Sequence, residues 1–228
     1  MLSILIPTNN TEYIEPLFDS IDAQSWDGCF EVIVATDGCP ECVNHLVELI
    51  PKYEWLNIYA CPKNMGVYKT INTLLELSDG NDKLIFGSDD IMHTDLIKTL
   101  YEIEGDFKQM RFWDLREING EMYRSKNNNN TYAAGAVWLN QRCVDVCGGY
   151  KSWRYSADSE YVERVKSSFL THVLIDKELF WYRTHDKNLT KTVDLAARAK
   201  QRSQIKNNYG KHEIKTNPVC NTGRFVSN

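Results

Sequence analysis

The sequence has no apolar run approaching the roughly 20 residues that span a bilayer. Its opening MLSILIPTNN turns polar too early for a signal peptide. A cytoplasmic chain without integral membrane association is therefore expected. Neither Gly-x-Gly-x-x-Gly nor a Gly-Lys-Ser/Thr loop occurs, which excludes the common glycine cradles for phosphate. Cys39-Pro40-Glu41-Cys42 has zinc or redox spacing, but no second pair and no histidine at finger spacing accompanies it. It reads as a turn entering a helix, and the odd count of seven cysteines suits reduced thiols. Neither charge sign dominates. A formal net charge of −5 argues against the chain as a whole binding nucleic acid or membrane. From Lys187 onward, however, nine basic residues face two acids, marking a basic, Asn-rich helix and tail. Repeats and linkers are absent too.

What is present is a regular alternation. Short apolar runs at 2–7, 30–36, 55–61 and 83–87 read as strands. Between and after them, 12–24, 42–53, 67–78 and 93–104 read as helices; Ile14, Leu17, Phe18 and Ile21, for example, share one helical face. Strands apolar on both faces and separated by helices predict a mostly parallel sheet covered by helices. The second half differs. Strands are expected at 108–120, 131–140 and 171–184, with a turn at Asn119-Gly120, a polar loop at 124–130 and a polar helix over 187–208. Together these form an α/β first half feeding a mixed sheet within one domain.

Ligands of open parallel sheets bind outside the carboxyl ends of the strands. The residues expected there are Pro7-Thr8-Asn9-Asn10, Thr36-Asp37-Gly38, Lys63-Asn64-Met65-Gly66 and Ser88-Asp89-Asp90, small, polar or acidic at four consecutive ends. Adjacent carboxylates suit Mn2+ or Mg2+, which prefer oxygen ligands and leave further positions to substrate phosphates. Capping of the following helix is the competing explanation for Asp89 and Asp90.

The order SILIPTNN, LFDSIDAQ, EVIVATDG, NMGVYKTIN and KLIFGSDD resembles the nucleotide-sugar half of the family 2 glycosyltransferases, which have the GT-A fold. Pro7-Thr8-x-Asn10, then Leu17, Ser20, Ile21 and Gln24, then Asp37-Gly38, then Asn64, Gly66 and Asn72, match that family's succession. Its Asp-x-Asp-type metal motif falls on Asp89 and Asp90, with Gly87 where the first acid usually stands. The resemblance resumes at Gly148-Gly149-Tyr150, Asp158, Tyr161 and Arg164, and again at FWYRTHDKNLT (180–190). Thr36 and Ala157 stand where the family often has acids.

The resemblance implies a single GT-A domain: a nucleotide-sugar half (1–105), an acceptor and catalytic half (106–190) and a basic C-terminal helix and tail (191–228). It implies a metal-dependent, inverting transfer of sugar from a nucleotide-diphosphate sugar, UDP-sugar favoured. Asp158 takes the position of the catalytic base, with Glu160 as the fallback. Asp89, Asp90 and His185 are the expected metal ligands. Pro7, Thr8, Asn10, Asp37, Asn64, Gly66, Lys69, Ser88 and Asp89 would hold the donor, Thr8, Asn10 and Asp37 its base and ribose. Lys69 reads equally as a surface helix lysine, and His185 as a satisfied histidine at a strand end. Tyr150, Trp153 and Tyr155 would stack on an acceptor, or simply pack. The acceptor would be a glycan, a protein, a small molecule or a hydroxyl on a modified DNA base. A nucleotidyltransferase and an inactive sugar-nucleotide-binding protein are the rival readings; the first lacks its usual Gly-rich basic loop after strand one.

Overall fold

The computed structural model describes residues 1–118, 121–126, 131–186, 188 and 194–209. The expected turn at Asn119-Gly120, part of the polar loop and most of the basic tail lie outside them. In chain order the first half runs β1 (Leu2–Thr8), α1 (Ile14–Asp22), β2 (Phe30–Asp37), α2 (Pro40–Leu49), β3 (Leu56–Cys61), α3 (Val67–Leu77) and β4 (Asp82–Ile85). There follow β5 (Ile91–Met92), α4 (Leu96–Glu102), β6 (Phe107–Ile118), β7 (Glu121–Lys126) and β8 (Val137–Asn140). The chain continues with α5 (Gln141–Cys147), α6 (Ala157–Lys166), β9 (His172–Thr184) and α7 (Leu195–Tyr209).

Among the described residues these strands form one sheet in the order β3-β2-β1-β4-β8-β6-β9-β5, with β7 paired outside it to β6. β3, β2, β1 and β4 are mutually parallel; β8 then runs antiparallel to both β4 and β6, and β6 and β9 are parallel. The parallel half and the mixed half are therefore one continuous layer.

Why the first strands are apolar on both faces is visible in the packing. Leu2, Ile4, Ile6, Val32 and Val34 point into a core with α1, α2 and α4. Leu5, Ile33 and Ala35, one residue out of phase, point into a second core with α3, α5 and α6. Successive side chains of a strand face opposite ways, so helices on both sides demand apolar residues at every position. α1 supplies Ile14, Leu17, Phe18 and Ile21 at the i, i+3, i+4, i+7 spacing of a buried stripe.

Four expectations change. Residues 124–126, expected to open a polar loop, pair with β6 as the end of β7. The helix expected at 93–104 begins only at Leu96, because Ile91 and Met92 pair with Trp181 and Phe180 and extend the sheet. Residues 131–136 are not a strand; only Val137–Asn140 pair, where bulky residues replace Ala-Ala-Gly-Ala. Cys39 and Cys42 are joined by a disulfide, which corrects the expectation of uniformly reduced thiols, although α2 does start there as expected.

Candidate active site

The carboxyl ends of β1, β2 and β4 open on a cleft of about 1140 Å³ whose far wall comes from the start of α6 and the end of β9. All the residues assigned to donor, metal, acceptor and base line it, from Pro7 to His185; Glu160 does not.

At the β1 end, Thr8 builds the loop. Its hydroxyl donates to Asn10 O at 2.7 Å and accepts from Asn10 N at 3.2 Å, while Asn10 Oδ1 accepts from Glu12 N at 3.0 Å. At the β2 end, Asp37 is 5 % exposed and accepts Met65 N–H at 2.6 Å on one oxygen and Gly66 N–H at 2.9 Å on the other. Asn64 Nδ2 donates to Asp37 O at 3.2 Å. Gly38, at φ 66°, lies so close to this loop that a Cβ would sit 2.1 Å from Asn64 N. Both oxygens of Asp37 hold the 64–66 loop and so shape the wall of the cleft, which Asp37 also lines. Gly66, at φ 89°, then turns the chain into α3, and Lys69 stands exposed on its first turn.

The aspartate pair lies on the loop after β4. Asp90 is 5 % exposed and Oδ1 accepts Arg183 N–H at 2.9 Å; burial, and then the charge of Asp89, push its pKa well above the usual range. Asp89 Oδ2 lies 3.0 Å from His185 Nε2 and accepts from Asn188 Nδ2 at 3.2 Å. Helix capping does not explain either acid, because α4 starts at Leu96 with Asp95 before it. The remaining oxygens, Asp89 Oδ1 and Asp90 Oδ2, each stand 3.0 Å from where a Cβ on Gly87 would be. The glycine that replaces the first acid thus leaves an oxygen-lined cradle that a side chain would fill. His185 Nδ1 is buried with no hydrogen-bond partner among the described residues, and its ring leans on Tyr13 at 5.0 Å. Among those residues no three His, Cys, Asp or Glu side chains close on one point in metal-ligand fashion. Two carboxylate oxygens with an adjacent imidazole fit a hard divalent cation whose other ligands come from a diphosphate.

On the opposite wall, Asp158 sits half-buried in the first turn of α6, after Ser156 in a left-handed conformation (φ 59°). Asp158 Oδ1 accepts Ser159 N–H at 2.7 Å. Tyr68, from α3, stands beside Asp158; burial first, and then that carboxylate's charge, hold its pKa far above the ordinary phenol value. The turn feeding α6 is held by two side chains. Asn72 accepts Tyr150 N–H at 2.7 Å and donates to Tyr150 O at 2.9 Å. Arg164 donates to Cys147 O and, at 2.8 Å, to Gly149 O.

Glu160 and Tyr150 need correcting. Glu160 is 1 % exposed, ion-paired with Arg164, and accepts from the Tyr209 hydroxyl at 2.7 Å, so it cannot serve as a base in the cleft. Tyr150 is buried between Tyr68 and Tyr161, stacked at 5.9 and 4.4 Å, and offers no open face to an acceptor. Trp153 and Tyr155 are half-buried on the rim, and Tyr155 accepts Asp194 N–H at 3.3 Å just before α7. The sequence reading missed Tyr68 and the role of Arg183, whose Nε donates to Asp89 O at 2.9 Å while its guanidinium covers Tyr13 at 4.4 Å. Tyr68 carries no spacing signal, whereas Arg183 lay in a segment already noted.

Known structures share this architecture. S. aureus TarS (residues 1–349) in complex with UDP-GlcNAc superposes with a TM-score of 0.68 at 17% identity, covering 85% of this chain and 61% of that one. The mannosyltransferase PcManGT from Pyrobaculum calidifontis, in complex with GDP-Man and Mn2+, gives 0.61 at 16% identity, over 82% of this chain and 58% of that one. Both likenesses establish a GT-A fold. Among curated proteins, glycosyltransferase GlyA of Streptococcus pneumoniae serotype 4 is 25% identical over 127 residues, 54% of this chain but 18% of its own length. The chain therefore spans under a fifth of that relative and about 60% of those structures. The model of glycosyl transferase family 2 matches residues 3–162, most of the chain, from β1 through the first turn of α6, and the chain belongs to that family.

Proposed function

We propose that the chain moves a sugar from a nucleotide-diphosphate sugar to an acceptor hydroxyl, with inversion at the anomeric carbon. The observation that carries this reading is the placing of the Asp89–Asp90 cradle and the half-buried Asp158 on one cleft large enough for a sugar nucleotide. The loops after β1 and β2 form the nucleotide side, with a UDP-sugar favoured because one structural relative is described with UDP-GlcNAc. Asp89 and Asp90 would hold Mn2+ or Mg2+, with His185 beside Asp89. When bound, such an ion supplies positive charge to the leaving diphosphate.

The chain's own residues do the rest. Asp158 accepts the proton of the attacking hydroxyl, a contribution of about 10²–10⁴-fold. The Ser159 amide holds that carboxylate in place, with Tyr68 beside it. Arg183 and Asn188 fix the loop carrying Asp89. Trp153 and Tyr155 on the rim are the aromatic surfaces left for an acceptor, whether a glycan, a protein or a small molecule. Incubation with UDP-sugars, Mn2+ and simple sugar acceptors, with proton NMR of the product, tests the reading. An α-linked donor is expected to give a β-linked product; retention of configuration would contradict the role given to Asp158.

A further inference from the structure

Cys39-Pro40-Glu41-Cys42 is left unused by the chemistry of the cleft. Its sulfurs are bonded at a strand–loop–helix junction: β2 ends at Asp37, Gly38 turns the chain, and Cys39 caps α2. A Cys-x-x-Cys at this place in a βαβ pattern has the spacing of thiol–disulfide exchange sites. The two sulfurs are not equivalent. Cys39 is half-exposed, whereas Cys42 is 3 % exposed in the core. Cys39 Sγ also accepts the Cys42 N–H at 3.2 Å, and Pro40 occupies the first turn of a ten-residue helix. Sulfur held at a helix N-terminus by a backbone N–H is stabilised as thiolate. The sulfur reached from solvent in a first attack, and suited to leave from the resulting mixed disulfide, is that of Cys39.

The position also bears on the cleft. Gly38 packs directly on the backbone of Asn64, and Asp37 binds the amides of Met65 and Gly66. The disulfide thus closes a small ring one residue away from the loop pair that walls the nucleotide side.

We propose that Cys39 and Cys42 form a thiol–disulfide exchange site for a dithiol reductant, and that their oxidation state tunes how the 37–38 and 64–66 loops receive the donor. The second clause rests on the donor reading given above. A thiolate of the reductant attacks Cys39 Sγ, the Cys39–Cys42 bond breaks, and Cys42 leaves as thiolate and takes a proton. The second thiol of the reductant, deprotonated, attacks its own sulfur in the mixed disulfide and expels Cys39 as thiolate. The reductant departs as a cyclic disulfide. Two electrons and two protons have then passed to the protein once Cys39 is protonated.

Equilibrating the full chain in mixtures of reduced and oxidised dithiothreitol, trapping with iodoacetamide and mass analysis of the peptide containing 39–42 tests the site. Both cysteines are expected to alkylate together in one two-electron transition while circular dichroism stays that of the folded chain. Alkylation of both without reductant, or opening only as the fold is lost, overturns the proposal. UDP affinity in Mn2+ is then measured on the two forms, with a difference on the order of fivefold expected and with Cys39→Ser resembling the reduced form. Equal affinities overturn the coupling. Failure of both forms to bind UDP contradicts the donor reading instead, and the alkylation titration still decides the exchange site.

Discussion

The two walls of the cleft are built on different principles. On the nucleotide side, the polar residues at the strand ends are mostly consumed in making loops: Thr8 and Asn10 fold one turn, and Asp37 clamps the next. What this wall presents to a ligand is largely backbone and shape. On the opposite side, the proposed base stands on a turn that its neighbours hold: Asn72 and Arg164 lock the turn, and Tyr68 lies beside Asp158. Identical side-chain chemistry, a carboxylate at the edge of the same cleft, is therefore a framework element in Asp37 and a candidate base in Asp158. Hydrogen-bond demand from the surrounding backbone separates them.

The contrast is broken most forcefully by replacing the base. Asp158→Asn is expected to lower kcat by about 10²–10⁴-fold with little change in melting temperature, because it removes a proton acceptor and keeps the fold. Glu160→Gln should do the reverse, costing stability by leaving the half-buried Arg164 without its counter-charge while kcat is largely kept. Steady-state kinetics beside thermal melts distinguish them, and a matching loss of kcat in both would erase the assigned difference. A smaller effect is expected at the clamp. Asn72→Ala leaves the Tyr150 N–H and C=O without their partner, a cost of about 1–3 kcal/mol for each group left buried, read by urea denaturation; activity falls with it because the turn carries α6.

The smallest expected effect is a pH response far from either wall. His172 is held down to about 4 by burial and then by the charge of Lys166, and its Nε2 lies 2.9 Å from Gln109 Oε1. A histidine whose folded pKa is lowered contributes stability that is present above its unfolded value near 6.5 and is lost as pH falls toward about 4. Melting temperature should therefore decline over that window, and His172→Gln should flatten the decline.

Which parts were legible in the sequence follows from the range of the interactions. Strands buried on both faces write their environment into every residue, so β1, β2 and β4 could be read from LSILIP, FEVIVAT and KLIFG, whereas the end strand β3, with Asn57, Tyr59 and Ala60 exposed, was legible from its place in the alternation. Ser20 of α1 and Gln24 just after it were recognised only as a pattern, and the structure gives the reason for it: Ser20 Oγ accepts Met92 N–H at 3.1 Å, and Gln24 Oε1 accepts Ile97 N–H at 3.0 Å, fastening the segment behind the aspartates. Tyr68 could not be foreseen because its partner is 90 residues away, across a turn whose course depends on Asn72. Glu160 was misread for one reason: a carboxylate in a polar stretch looks available until its neighbouring cations and hydroxyls are placed around it. The missed α5 begins where Asn140 Oδ1 caps Cys143 N–H at 2.9 Å, a short polar-to-helix transition without a long apolar stripe.

The claim on which all this turns is that Asp89 and Asp90, facing each other over Gly87, grip the cation that carries the donor's diphosphate. Thermal shift with UDP, run with and without Mn2+ on the unaltered chain and on Asp89→Ala, tests it most directly. UDP at about 100 times its dissociation constant should add about 2.7 kcal/mol, a rise of several degrees, only when Mn2+ is present and only with Asp89 in place. An equal rise without Mn2+, or one undiminished in Asp89→Ala, would contradict it.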